Sequence, residues 1–223
     1  MNNESRWVTL KDGRRIKIND YMNDKIRNSI GKIQYVSLND EKIEEFDKAT
    51  KELKETLDAE TINSLMSYAG IGHKEINETL ELGKPTEQII YSNINDIQKD
   101  INNIDNVMNK SMLNKNVICY RGTYEDFSNY KIGDTFNSKK FFSTSFKEKI
   151  ALQRAKKKGE GGVVLEIRTS KNTKAIYMGD NFSSQNEFEL LLNRGLKYKV
   201  IDIQDIEDEL YGNYKKYVLK IVK

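Results

Sequence analysis

The sequence predicts an α+β fold, with helices in the first half and strands in the second. Three observations carry this. From Asn39 to Met108, apolar residues recur three and four apart, the period of an amphipathic helix. After Asn114 the period shortens, and short β-branched and aromatic runs follow, separated by turn residues. The two kinds of element are segregated rather than alternating, which argues against a doubly wound parallel sheet. At 223 residues the chain can bury a sizeable core in one domain. It carries no internal repeat, low-complexity tract or Pro/Ser-rich linker.

Composition narrows the function classes. Charged residues make up 32% and hydrophobic ones 37%, the balance of a soluble globular protein. The net charge of +3 is small against 37 basic and 34 acidic residues, so no nucleic-acid partner is expected. Lys156-Lys157-Lys158 reads as a solvated helix end. The lone Cys119 excludes an internal disulfide framework. The lone His73 argues against a zinc site or a Ser-His-Asp triad, so no metal is expected. Chemistry then falls to Arg, Ser, Thr, Gln and Glu. No apolar run approaches the roughly 20 residues of a membrane helix, and no apolar signal core follows Met1. A monomer is expected.

In chain order, Trp7 to Ile18 reads as two short β-prone runs around Asp12-Gly13, a hairpin signal. Residues 1–38 form an arm, and 39–223 the main domain. A helix capped by Asn39 or Asp40 places Ile43, Phe46, Thr50, Leu53 and Leu57 on one face. A second runs from about Glu60 to Tyr68, and a third from about His73 to Leu82, ended by Gly83-Lys84-Pro85. Thr86 then caps a long helix striped by Ile90, Ile94, Ile97, Ile101, Ile104 and Met108. About seven strands follow: Val117 to Arg121, Lys140 to Ser145, Val163 to Arg168, Ala175 to Met178, Glu187 to Leu192, Tyr198 to Ile203 and Tyr217 to Val222. A basic helix, Lys147 to Lys157, lies between the second and third.

Three features in the strand-rich half can carry chemistry. Arg121 ends a strand and precedes Gly122, where a guanidinium can grip a phosphate or carboxylate bidentately. Ser143-Thr144-Ser145 follows Phe141-Phe142, and hydroxyls there can bond a ligand or orient a carboxylate. Gln185-Asn186-Glu187 enters an apolar run, and residues two apart on an extended chain face one side. Singly, each is also an ordinary surface arginine, a turn or a polar loop. Phe142 and Phe146 are candidates either for a pocket wall or for the core.

Together and in this order they resemble the bacterial mono-ADP-ribosyltransferase toxins, whose signature is Arg, then Ser-Thr-Ser, then Gln-x-Glu or Glu-x-Glu. Glu187-Phe188-Glu189-Leu190-Leu191-Leu192-Asn193-Arg194-Gly195 is similar to the family's strand after the catalytic glutamate. Leu65 to Tyr68 and Ile76 to Leu80 are similar to the helical segment beside the nicotinamide half of NAD, which brings in Tyr68 and Asn77. The resemblance covers roughly residues 40 to 223. It implies helices packed on two small, mostly antiparallel sheets flanking an NAD cleft. Arg121 and Gly122 would meet NAD, Thr144 and Ser145 would shape the cleft, and Ser143 would hydrogen-bond a catalytic Glu187. An ionised Glu187 would stabilise the positive charge that develops on the ribose as nicotinamide leaves.

Gln185, two residues before that glutamate, implies an acceptor other than arginine, namely the asparagine of a Rho-type GTPase. Phe182 matches the exposed aromatic by which clostridial Rho-modifying exoenzymes, similar in this loop, grip their target. The expected partner is therefore a protein, a small GTPase by this resemblance. The family's helical segment often ends in an arginine for NAD phosphate; here Glu81 follows Leu80, leaving Arg27, Lys84 and Arg154 as substitutes. Trp7 to Ile18 resembles a segment of tailed-phage minor head proteins, which implies an effector carried in a virion or made in an infected cell. The alternatives to a transferase are an NAD glycohydrolase and a phage structural module without turnover.

Overall fold

The computed structural model describes residues 5–10, 13–19, 35–157, 162–183 and 187–223. The first helices form where caps and apolar spacing demand. Helix α1 (Asp40–Glu55) starts at Asn39, whose side chain accepts the Lys42 N–H, and buries Ile43 and Thr50. Helix α2 (Ala59–Ser67) is capped by Asp58 and runs into one π-helical turn, Tyr68–Gly72. Helix α3 (His73–Leu82) stops at Gly83, which takes the left-handed conformation.

Helix α4 (Ile94–Lys110) begins seven residues later than a Thr86 cap predicts. Asn93, not Thr86, is its cap. The buried carboxylate of Glu75 accepts the backbone N–H groups of Ile89, Ile90 and Tyr91, and Glu78 accepts both the N–H and the hydroxyl of Thr86. Hydrogen bonds to a charged group are worth roughly 1.5–3 kcal/mol each, more than the helix propensity of any residue here, so residues 86–93 stay irregular. Ile90 and Ile94 are accordingly left at the surface, while Ile97, Ile101, Ile104 and Met108 are buried.

The strands form one open path in the order β1-β2-β9-β10-β6-β3-β5-β8-β7, with β4 alongside β9. They are β1 (Ser5–Thr9), β2 (Arg15–Asn19), β3 (Val117–Thr123), β4 (Thr135–Asn137), β5 (Phe142–Ser145), β6 (Val163–Thr169), β7 (Ala175–Tyr177), β8 (Glu189–Leu192), β9 (Lys197–Glu207) and β10 (Tyr214–Val222). Pairing is antiparallel except between β6 and β10. β3 meets β5 through the single pair Tyr120↔Ser145, so the path falls into two halves joined at one point. The hairpin expected at Trp7–Ile18 is β1–β2, and it pairs with β9 through Arg15↔Glu207 and Ile16↔Ile206.

The largest core draws from both halves, with Cys119, Leu165 and Tyr217 from one side and Phe142, Leu190 and Leu192 from the other. A second core packs α2, α3 and α4 on β8 through Leu65, Ile76, Ile101, Ile104 and Leu191. Helix α5 (Glu148–Lys156) covers β3 and β6 through Ala151, Leu152 and Ala155. It lies so close that a Cβ on Gly122 would stand 1.8 Å from the Ala151 carbonyl oxygen, and one on Gly162 1.8 Å from that of Ala155. Gly162→Ala should therefore push α5 off the sheet and cost about 3 kcal/mol of stability, measured by chemical denaturation; an unchanged midpoint and slope would show that the helix yields freely.

Candidate active site

The junction of the two sheet halves opens into a cleft of about 540 Å³. Arg121 and Gly122 from β3, Ser143, Thr144 and Ser145 from β5, and Tyr68 and Asn77 from the helical half all line it, as do Glu187 and Glu189. The sheet path explains the meeting: Tyr120↔Ser145 is the one β3–β5 pair, and it sets Arg121 beside the Ser-Thr-Ser strand. Gln185 lies outside the described residues, and Phe182 is not at the surface. Phe182 is only 3% exposed, packed in the second core with the Lys54 ammonium over its ring, because it closes the short helix α6 (Gly179–Phe182) against the helical half. Phe142 and Phe146 are also core.

The carboxylate that Ser143 holds is Glu189, not Glu187. Ser143 Oγ donates to Glu189 Oε1 at 2.5 Å. Register dictates this: β5 pairs with β8 so that Ser145 faces Glu189 and Ser143 faces Leu191, leaving Ser143 and Glu189 as diagonal neighbours on one face. The expected strand from Glu187 begins only at Glu189, because Phe188 takes a left-handed φ of 49°. For a bulky side chain that costs about 1–2 kcal/mol. Ser145 Oγ donating to the Glu187 carbonyl and Phe146 N–H donating to the Phe188 carbonyl hold the turn in place. The sequence signal for Glu189 was its place inside a buried apolar strand, where a carboxylate stands only with a partner.

The two carboxylates differ in environment. Glu189 is 6% exposed, and burial pushes its carboxyl up to about 7, with the Glu187 charge adding to the rise; the Ser143 hydroxyl and the Arg121 and Arg154 charges work the other way. Glu187 is partly exposed and forms an ion pair with Arg154 of α5. Of the three substitutes expected for the family's second arginine, Arg154 thus reaches the cleft; Lys84 is not among its lining residues, and Arg27 lies outside the described residues. Lys157 and His73, not singled out in the sequence, also line it.

Among the described residues, two buried polar atoms in the cleft wall have no hydrogen-bond partner: Arg121 Nε and Asn77 Oδ1. Arg121 is otherwise held by the Ser143 carbonyl at 2.9 Å, by the Phe142 ring 4.5 Å below it, and by Glu125. Asn77 Nδ2 donates to the Tyr68 hydroxyl at 3.0 Å, and that hydroxyl reaches the Phe141 carbonyl. An unpaired buried donor on one wall and an unpaired acceptor on the other suit an anionic ligand with an amide group, as NAD is. No cluster of metal-ligating residues occurs among the described residues.

Fold and cleft define an α+β domain with a cleft built around a serine-held carboxylate. The chain belongs to the ADP-ribosyltransferase exoenzyme family, whose sequence profile matches residues 43–222; NAD is the co-substrate of that family. It is 31% identical over 155 residues to the NAD(+)–arginine ADP-ribosyltransferase EFV of Enterococcus faecalis, an alignment covering 67% of this chain and 30% of the relative. The chain thus spans less than a third of that protein. Its fold is similar to that of Plx2a, an ADP-ribosyltransferase toxin from Paenibacillus larvae (TM-score 0.65, 23% identity, 82% of this chain and 96% of that one). It is similar also to C3stau2 from S. aureus, solved with NAD (TM-score 0.65, 15% identity, 86% and 99%).

The raised Glu189 carboxyl has a stability consequence. Between the ordinary glutamate range and about pH 7 the folded chain holds a proton that the unfolded chain releases, so this group's contribution falls as pH rises through that window. Glu189→Gln removes the cost of burying the ionised form. Its stability relative to the unmutated protein should improve from pH 5 to pH 8 by about 3 kcal/mol at most, read from denaturation at both values; a pH-independent difference would mean that Glu189 titrates normally.

Proposed function

We propose that the chain is a mono-ADP-ribosyltransferase that moves ADP-ribose from NAD to an arginine side chain of a protein. The observation that carries this is the Ser143–Glu189 hydrogen bond. It makes Glu189 the counterpart of the family's catalytic glutamate, and the residue two before it is then Glu187, not Gln185. The motif becomes Glu187-Phe188-Glu189, the Glu-x-Glu form that the family pairs with arginine acceptors. The arginine-specific activity of the Enterococcus faecalis relative supports the same acceptor. The expected asparagine of a Rho-type GTPase depended on Gln185 and on an exposed Phe182, and Phe182 is buried.

In this reading Glu189, steered by Ser143, faces the nicotinamide ribose and stabilises charge developing there. The preorganisation matters because a fixed carboxylate needs no rearrangement as the bond breaks. Arg121, with its unpartnered Nε, and Lys157 meet the diphosphate. Asn77 Oδ1 accepts from the carboxamide. Glu187, nearer solvent, orients an incoming guanidinium and takes its proton. NAD supplies the ADP-ribose and the leaving nicotinamide.

The test separates the two carboxylates. Glu189→Gln should lower nicotinamide release from NAD about 10²–10³-fold, by analogy with the loss of one preorganised stabilising group, with or without agmatine as acceptor. Glu187→Gln should keep nicotinamide release and lose agmatine labelling. The reverse pattern would return the catalytic role to Glu187 and overturn the reading. Because Glu189 must be ionised, kcat/KM for NAD cleavage should rise with pH through about 7; a flat profile from pH 5 to pH 8 would mean that another group limits the reaction.

A further inference from the structure

The carboxylate assigned to the acceptor guanidinium already holds one. Arg154 Nη2 pairs with Glu187 Oε1, and both residues line the cleft that contains Glu189. Arg121, the other arginine of the cleft, bonds neither carboxylate; its guanidinium is taken by the Ser143 carbonyl, the Phe142 ring and Glu125. The placement of Arg154 is built into the fold rather than left to a flexible loop. It sits in the last turn of α5, and Gly122 and Gly162 let that helix approach β3 and β6 more closely than any side chain would permit. Arg154 keeps 45% of its side chain exposed, so its guanidinium retains room to reorient within reach of Glu187.

We infer that Arg154 is a self-modification site: the enzyme transfers ADP-ribose to its own arginine from within the same molecule. This rests on the arginine-acceptor reading. In the step, a guanidinium nitrogen of Arg154 forms a bond to C1′ of the nicotinamide ribose. The bond from C1′ to the nicotinamide ring nitrogen breaks, its electron pair neutralises the pyridinium, and nicotinamide leaves uncharged. The proton lost from the guanidinium passes to Glu187. NAD is the sole co-reactant. Effective molarity favours this acceptor over a dilute one, since Arg154 is held at the carboxylate before any partner arrives. A modified Arg154 keeps Glu187 engaged, so labelling of other proteins slows as self-modification accumulates.

The experiment incubates the purified chain with NAD, with and without agmatine, and follows intact mass and peptide fragmentation. The expected result is one added ADP-ribose mapped to Arg154, formed with a first-order rate constant independent of protein concentration, and a matching decline in agmatine labelling. In Arg154→Lys no adduct should form at residue 154, and in Glu187→Gln neither Arg154 nor agmatine should be labelled. Agmatine labelling with Arg154 unmodified would overturn the inference and leave the arginine reading standing. So would an adduct on another residue, or an apparent first-order rate constant that rises with protein concentration. Nicotinamide release with neither agmatine nor Arg154 labelled would overturn both.

Discussion

The β5–β8 ladder is the constraint on which the rest of the site depends. Its four pairs set Ser143 diagonal to Glu189 and so decide which carboxylate is buried, which is serine-held and which is left toward solvent. Thr144 secures the same ladder from within, its hydroxyl donating to the Leu190 carbonyl at 2.6 Å. The alternation of β8 then sends Leu190 and Leu192 into the core shared by both sheet halves and Leu191 into the core under the helices. One register therefore anchors two hydrophobic cores and one chemical group. A slip in it would expose leucines as well as misplace the carboxylate, which is why packing, rather than any single polar contact, holds the geometry of the cleft.

Unfavourable local features gather at this place. Glu189 is buried with its carboxyl raised to about 7, Phe188 is left-handed, and Arg121 Nε and Asn77 Oδ1 lack partners. Elsewhere buried charge is paired: Lys216 reaches Glu148 and Glu166 beneath α5, and Glu75 satisfies three backbone donors. The contrast has a physical logic. A group that must meet substrate cannot already be satisfied by the protein, so the cleft wall keeps polar capacity for a ligand; outside it the Tyr198 and Thr79 hydroxyls also lack a partner among the described residues.

The two halves of the sheet meet at the single pair Tyr120↔Ser145, and that sparseness is what opens the cleft. A longer β3–β5 ladder would close the space with backbone. The walls are held by other means: α5 is seated against Gly122 and Gly162 on one side, and the π-helical turn Tyr68–Gly72 stands on the other. Tyr91, drawn in by Glu75, ties that turn to α4 by bonding Ser67 and Asp100. The irregular stretch 86–93, which apolar spacing reads as helix, is thus one of the supports of the cleft.

Local patterns made much of this protein legible. Caps at Asn39 and Gly83, the isoleucine stripe of α4 and the change to strand period after Asn114 are short-range signals, and the elements stand where those signals put them except at the start of α4, which comes at Ile94 rather than after Thr86. Arg121 and Ser143-Thr144-Ser145 stood out in the sequence as polar groups in otherwise apolar strands, and both line the cleft. The choice among Gln185, Glu187 and Glu189 was not. They are spaced by two, so on an extended chain they share a face, and parity cannot separate them. The backbone turn at Phe188 and the pairing of β8 with β5 separate Glu187 from Glu189, and both arise from contacts more than 40 residues apart in sequence. For the same reason Phe182 could be read as a surface aromatic: its spacing was visible, but the second core that buries it is assembled from helices and strands across the whole chain.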